Sequence, residues 1–291
     1  MPLRRMPLSE KCLAAAVAVC WAGTLVLAKQ GVTEIPPILM SAMRFAIVAL
    51  MIVPFTRITR EQLPWLLLIS FTFGTVHFGL LFIALGMAEA GTSAVLVQLG
   101  APIATVLAWL MFKEPLGLVR ALGLALTVVG VGVLAQGPTL PDALPLALLI
   151  FSAVGWAVTN LIVKAMPPVG AMTLTGWSSL MCVPQLTFAS GMLESHQWVS
   201  VLTAGWHGWS AVIYSAVVSS VIAYGVWYWL LRRNPVSAVV PFSMLNPVIT
   251  MGLGIIILGD AVAPLKIAGT ALILAGVVLV LRRKRDLLLE I

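Results

Sequence analysis

The chain has 291 residues, of which 61% are hydrophobic and 9% charged, with a mean hydropathy of +1.08. Soluble domains carry about a quarter of their residues as charged types, so a water-facing globule is excluded and lipid is the expected solvent. The formal net charge of +7 would suggest nucleic acid in a soluble protein; here the placement of the basic residues carries the information, and no nucleic-acid partner is expected.

A membrane-crossing helix needs about 20 mostly apolar residues. In chain order that window predicts ten spans, at 12–29, 37–55, 64–87, 93–112, 119–135, 143–165, 172–188, 209–231, 237–258 and 264–281. The first run is long enough to span, lacks a convincing cleavage site and holds a motif that recurs downstream, so it reads as a helix and not as a cleaved signal. Separators are short and carry Gly, Pro or charge. The exception is 189–208, where Trp198 and Trp206, with Trp209 beyond, predict an interfacial segment. Trp227, Tyr228 and Trp229 read the same way, as an aromatic belt at a span end.

The basic residues test this threading. Arg4, Arg5, Lys11, Arg57, Arg60, Lys113, Arg120, Lys164, Arg232, Arg233 and the basic run 282–285 fall on one side. Lys29 and Lys266 fall on the other, and Arg44 lies within a span. Lys and Arg concentrate in cytoplasmic loops, so both termini are expected in the cytoplasm.

Two stretches read as rewritten copies. Trp21, Ala22 and Lys29 recur as Trp156, Ala157 and Lys164. Ser93-Ala94-Val95, Pro102, Glu114, Arg120, Gly123 and Gly130 are echoed by Ser237-Ala238-Val239, Pro247, Asp260, Lys266, Gly269 and Gly276. A duplicated unit with an odd number of spans must insert its copies upside down relative to each other, a common skeleton of secondary transporters. The expected fold is therefore an all-α integral membrane protein. It has ten transmembrane helices in two inverted five-helix repeats, 1–137 and 138–291, around a central cavity, the second repeat ending in a basic cytoplasmic tail.

These residues resemble a known family. Trp21 and Lys29 in the first helix, Ser41-Ala42-Met43-Arg44-Phe45 in the second, the proline-centred fourth helix followed by Lys113-Glu114-Pro115, and the glycines of the fifth are similar to EamA-type transporters. These belong to the drug/metabolite transporter superfamily, and within it the chain looks most like the YddG-type aromatic amino-acid exporters. The resemblance covers about residues 10–283. It implies efflux of small metabolites by alternating access across a bacterial-type inner membrane.

Groups at mid-membrane depth supply the candidate cavity. Trp21 and Trp156 occupy the same depth in both copies, away from the interfaces, and a buried indole N–H wants a partner. A cavity explains this better than helix packing, and flat apolar rings suit a solute with an aromatic or large apolar side chain. Arg44 lies about 10 Å inside its span. It either snorkels toward Glu34 or Glu89 or attracts a substrate carboxylate, with even weight on each. His77 reads first as a neutral partner of a neighbouring helix and second as a proton-coupling group. Gln98, Asn246, Asn160 and Tyr224 are further cavity candidates, with Gln185 and Tyr214 weaker. Pro102 and Pro247 each remove a backbone donor and are candidate hinges, a static kink being almost as good a reading. The glycines at 123/130 and 269/276 share a helix face and predict close packing of the fifth and tenth helices, with an oligomer contact as the second reading. Glu114 and Asp260 are explained by loop capping.

No GxxxxGK[ST] or HExxH motif is present, so neither ATP hydrolysis nor zinc proteolysis is encoded, and no cofactor or metal is expected. Three cysteines in apolar runs without CxxC spacing suggest neither disulfide nor metal site. The reading is a secondary exporter of amino acids with aromatic or large apolar side chains, monomeric in the working picture, with lipid and a small amino-acid-like solute as partners. A multidrug or other metabolite carrier is the alternative; a channel or intramembrane enzyme ranks lower. Uniport and proton exchange are left open.

Overall fold

In hydrocarbon every backbone N–H and C=O must be bonded within its own segment, and uninterrupted apolar runs do this as helices. The computed structural model of the chain describes residues 6–112, 117–136, 141–234, 239, 242–243 and 245–281, and among these there are helices and no strands. Glu114, Ser237 and Ala238, which the sequence singled out, lie outside the described residues.

The first half contains α1 (Leu8–Gly31), α2 (Pro37–Ile52), and a continuous rod made of α3 (Leu63–Ile69), a π-helical stretch (Ser70–Gly79) and α4 (Leu80–Met87). It continues with α5 (Ala90–Val97), α6 (Gly100–Phe112) and α7 (Leu118–Ala135). The second half has α8 (Ala143–Ala165), α9 (Ala171–Leu193), the short α10 (Gln197–Thr203), and a rod of α11 (Trp206–Ile213), a π-helical stretch (Tyr214–Ala223) and α12 (Tyr224–Arg233). It closes with α13 (Leu245–Leu253), which widens over Gly254–Leu258, and α14 (Pro264–Leu281). The two long π-helical stretches are separated by the same sequence offset as Ser93 and Ser237.

Among the described residues six helices are long and apolar enough to cross a membrane: Leu8–Gly31, Pro37–Phe55, Leu63–Met87, Ala90–Met111, Ala143–Ala165 and Trp206–Trp227. Ala121–Leu134, Leu245–Leu258 and Pro264–Val280 are shorter apolar helices. α9 is 23 residues long but more polar, with Thr173, Thr175, Ser178, Ser179 and Gln185 along it. It also runs to Leu193, beyond the expected end at 188, so the connecting segment is shorter than 189–208. There α10 displays Trp198 and Leu202, 82% and 84% exposed.

Contacts between the halves are reciprocal. α7 packs on α14 and α2 on α9; α1 meets α13 as α8 meets α6. Likewise α1 meets α11 and its π-helical continuation, while α8 meets the first π-helical stretch and α4. The α7–α14 pair runs antiparallel at close range. A Cβ on Gly123 would lie 2.7 Å from the Gly276 carbonyl oxygen, and one on Gly269 would lie 2.8 Å from the Leu134 nitrogen. This is the intramolecular packing that the glycine spacing predicts, and it brings backbones together without side chains between them.

Polar ends tie the bundle at two faces. At the first face Glu34 accepts the Gly205 and Gly208 amides (2.9 and 2.7 Å), and Glu194 accepts those of Ile38 and Leu39 (2.7 and 3.0 Å). At the second face Asn234 donates to Glu10 (2.6 Å) and Gln62 to the Pro168 carbonyl (3.1 Å). Carboxylates at the N-terminal turns of α2 and α11 meet unpaired amides and the positive end of the helix dipole.

Gly276→Ala would press a methyl against the Gly123 carbonyl, at 2.6 Å, and should destabilise the protein by about 1–3 kcal/mol, the usual range for overpacking. Thermal unfolding in detergent reads this as a lower midpoint. Gly132→Ala meets nothing within 4 Å and should leave the midpoint unchanged or slightly raised.

Candidate functional site

Trp21 stands midway along α1, and its half-buried ring meets two aromatic rings of α12. Tyr224 and Trp227 both lie 5.1 Å away between centroids, tilted by 50° and 58°. The Trp21 indole nitrogen is buried and has no acceptor among the described residues. Two residues on, the Tyr214 hydroxyl closes against Gly23, where a Cβ would lie 2.6 Å from it, so glycine alone admits this contact. Trp227 is thus turned inward, although its sequence position suggested an interfacial belt; only Trp229 of the pair is exposed. Periodicity explains the error: Tyr224 and Trp227 are three apart and share the face that α1 covers.

Trp156, in the equivalent place on α8, lies over α6: a Cβ on Gly100 would sit 2.7 Å from its Cε3. Asn160, one turn further, is exposed and donates to the Trp156 carbonyl at 2.7 Å. The two tryptophans therefore occupy matching helices but meet different neighbours, an aromatic wall for Trp21 and a glycine shelf for Trp156.

Arg44 does not snorkel. Glu34 is occupied by amides and Glu89 by Lys266, and Arg44 points inward at 1% exposure. Its Nε and Nη2 donate to Ser220 Oγ (3.1 and 2.9 Å), and its guanidinium lies 4.0 Å from the Phe78 ring centre. His77 is sealed into a helix contact. Ser152 Oγ donates to the His77 carbonyl (2.8 Å), while His77 Nδ1 lies 3.1 Å from the Ser152 carbonyl, and the ring stacks on Phe73 at 5.4 Å. Gln185 joins Thr75 and Ser70 of the same π-helical stretch at 2.9 and 2.6 Å. These polar groups join helices, while Arg44 keeps one buried nitrogen, Nη1, without an acceptor among the described residues. Nothing in the sequence marks Ser152 or Ser220 as their partners, because serine is unremarkable in a membrane helix.

Pro102 is buried, and the helix breaks before it: α5 ends at Val97 and α6 resumes at Gly100. Proline lacks a donor for the Gln98 carbonyl four residues back and clashes with it. The Ala101 amide reaches that carbonyl instead, at 3.2 Å. Pro247 is buried in α13, of which Leu245–Leu253 are described. The expected kink is thus a break in the helix at Pro102. Asn246 accepts from Thr250 within its own helix (3.0 Å).

A charged cluster seals the first face. Lys266, 1% exposed, donates to Glu89 at 2.6 Å, and Glu89 also faces the Ala261 amide at 3.3 Å. Lys29 reaches the Gly86 carbonyl at 3.5 Å. Asp260 packs on Gly254, with one carboxyl oxygen buried and unpartnered. Burial, and then the Glu89 charge, push the Asp260 carboxyl above the ordinary aspartate range, while Lys266, the Gly91 amide and Lys29 oppose the shift. Among the described residues no group of three or more His, Cys, Asp or Glu could hold a metal ion.

The EamA-like transporter family model matches residues 8–136 and again 143–282. The chain belongs to this family. It is a multi-pass membrane transporter built of two repeats and not an enzyme. It is 30% identical over 277 residues to a probable amino-acid metabolite efflux pump of Salmonella typhimurium, covering 91% of this chain and 92% of that protein. A probable amino-acid metabolite efflux pump of Escherichia coli is 28% identical over 278 residues, with the same coverage. A crystal structure of a protein with 20% identity superposes with a TM-score of 0.66, covering 97% of this chain and 99% of the other, which shows a shared fold.

The raised Asp260 carboxyl sets the expected sign of a pH effect on the packing of this face. A carboxyl whose pKa is higher when buried than when exposed binds more protons in the sealed state. Acid therefore favours sealing, and the preference is lost as pH rises from about 3.9, the ordinary aspartate value, through the raised one. Spin labels at Val32 and Val262 should show a narrower distance distribution on acidification through that window. Asp260→Asn should flatten the response.

Proposed function

We propose that this transporter exports amino acids with aromatic or large apolar side chains across the inner membrane by alternating access. The observation that carries the reading is the Trp21–Tyr224–Trp227 cluster at the interior meeting of the two halves, with Trp156 in the equivalent helix. Substrate sites of repeat-built carriers lie near the midplane at the repeat interface. Rings tilted against one another there offer an apolar side chain contact area.

The relatives named as amino-acid metabolite efflux pumps support the solute class and the direction. The antiparallel α7–α14 contact and the reciprocal helix pairs support ten spans arranged as inverted repeats over 1–137 and 138–291. In this picture the second face, with Glu10 and Asn234, is cytoplasmic, as the distribution of basic residues requires. The face sealed by Glu89 and Lys266 is then external. Trp21, Trp156, Tyr224, Asn160, Gln98 and Asn246 border the solute path, and the Gln98–Pro102 break is the hinge on one side.

Proteoliposomes loaded with phenylalanine should show saturable counterflow of labelled phenylalanine; unsaturable flux would mean a pore. Trp21→Ala should raise the half-saturating concentration about tenfold, equivalent to about 1.4 kcal/mol. Trp21→Phe should recover most of it. Equal kinetics in all three would remove the aromatic chamber as the solute site.

A further inference from the structure

Arg44 is a permanent cation enclosed in protein, and its bonds do not satisfy it. A guanidinium has five N–H donors and no acceptor. Nε and Nη2 share the single oxygen of Ser220, whose own hydrogen is given to the Ser215 carbonyl at 2.8 Å. The rings of Phe78, Phe45 and Phe82 surround the charge at 4.0, 5.5 and 5.9 Å, so cation–π attraction replaces part of its hydration. Nη1 is buried and has no acceptor among the described residues. Ser41, three residues earlier and so on the same face of α2, also has a buried, unpartnered hydroxyl.

A buried cation without an anion is expensive, and removing it would be easier than keeping it if its task were only to join helices. A second unpaired donor lies nearby. Tyr224 meets the ring of Trp21, whose Nε1 is buried without an acceptor, and Ser220, which holds Arg44, lies four residues before Tyr224 on the same rod. Donors from α1 and α2 therefore flank one half-buried tyrosine, and no carboxylate of the described residues bonds either. Glu34, Glu89 and Glu194 are engaged at the first face. What the interior lacks is an anionic acceptor.

We propose that Arg44 is the receptor for the α-carboxylate of the exported solute, with the Trp21 indole N–H as a second donor and Tyr224 as the ring that shifts to admit it. A carboxylate offers two oxygens in a plane and matches the guanidinium fork. Ser220 and Phe78 hold that fork in place, so its orientation is set before the solute arrives. The side chain of the same solute then falls against Trp21 and Trp227. Lysine, a point charge without the planar face, would reproduce neither the stacking nor the fork. The assignment rests on the aromatic exporter reading and adds the group that separates an amino acid from an apolar amine of the same shape.

The test uses the full-length protein in proteoliposomes, with labelled phenylalanine counterflow and three unlabelled competitors: phenylalanine, its methyl ester and phenethylamine. Wild type should prefer the acid by tenfold or more over both neutral-carbonyl and decarboxylated analogues. Arg44→Lys should lose most of that preference, and Arg44→Gln should abolish it, while the ester competes as it does in wild type. Equal competition by acid, ester and amine in wild type overturns the receptor and leaves the aromatic exporter standing; this arm needs no variant to fold. A fall in Arg44→Lys that is the same for acid and ester overturns it too, because a brace between α2 and the π-helical stretch would affect all solutes alike. Absence of transport for any amino acid overturns the exporter reading, and the receptor with it.

Discussion

Once helices are in lipid, burying apolar surface no longer drives them together, because acyl chains are as apolar as leucine. The fold therefore depends on contacts that lipid cannot imitate: backbone meeting backbone at glycine, and polar groups finding one another inside. The α7–α14 pair is the clearest case of the first, with Gly123, Gly130, Gly269 and Gly276 all at the contact. The polar stitches of the first π-helical stretch are the second. Ser70, Thr72, Thr75 and His77 are spent on Gln185, Thr159 and Ser152 of the opposite half. A π-helical turn places its carbonyls and side chains differently from an α-helical one and is often found at functional positions. Here it presents four polar side chains to two neighbouring helices.

Equivalent helices make equivalent contacts, yet the chemistry at those contacts is not symmetric. The second π-helical stretch leads into Tyr224 and Trp227, while the first leads, at the same offset, into Leu80 and Ile83. Duplication supplies a frame whose two sides pack alike. Divergence of a few side chains has then given one wall aromatic rings and the other aliphatic ones, so a solute would be held more firmly by one half. On the proposed exporter reading, such asymmetry would let a symmetric scaffold bind a solute that has no symmetry of its own.

Much of the fold is legible in the chain because lipid imposes simple rules. Helix positions follow from apolar run length, and the α7–α14 contact follows from glycines seven residues apart. The site was less legible, for reasons that are physical. Arg44 has two ways to avoid desolvation, outward or inward, and the choice depends on whether Glu34 and Glu89 are free, which only the fold decides. Trp227 reads as interfacial by depth, but its direction is set by α1. The π-helical stretches leave no mark in composition, since their side chains are ordinary Ser, Thr, Val and Phe. Pro102 reads as a simple kink in sequence, yet the helix ends at Val97 and resumes at Gly100, because proline cannot serve the Gln98 carbonyl.

The distribution of burial bears on how the halves would move. Ala90 through Leu96 of α5 are buried on every side, whereas Trp109, Leu110 and Met111 at the far end of α6 are exposed. Gly91 lies against the Met251 backbone, where a Cβ would come within 2.9 Å of Cα. The bundle is therefore tight at the face held by Glu89, Lys266 and Asp260 and looser toward the other. On the alternating-access reading proposed above, opening that tight end would withdraw α5 from α13 and separate Lys266 from Glu89. Hydration of the two released charges offsets the lost ion pair, so the barrier is set less by Coulomb attraction than by the packing of Gly91 on α13. On that reading the gate would be closed by backbone packing and trimmed by charge, responding to pH without depending on it.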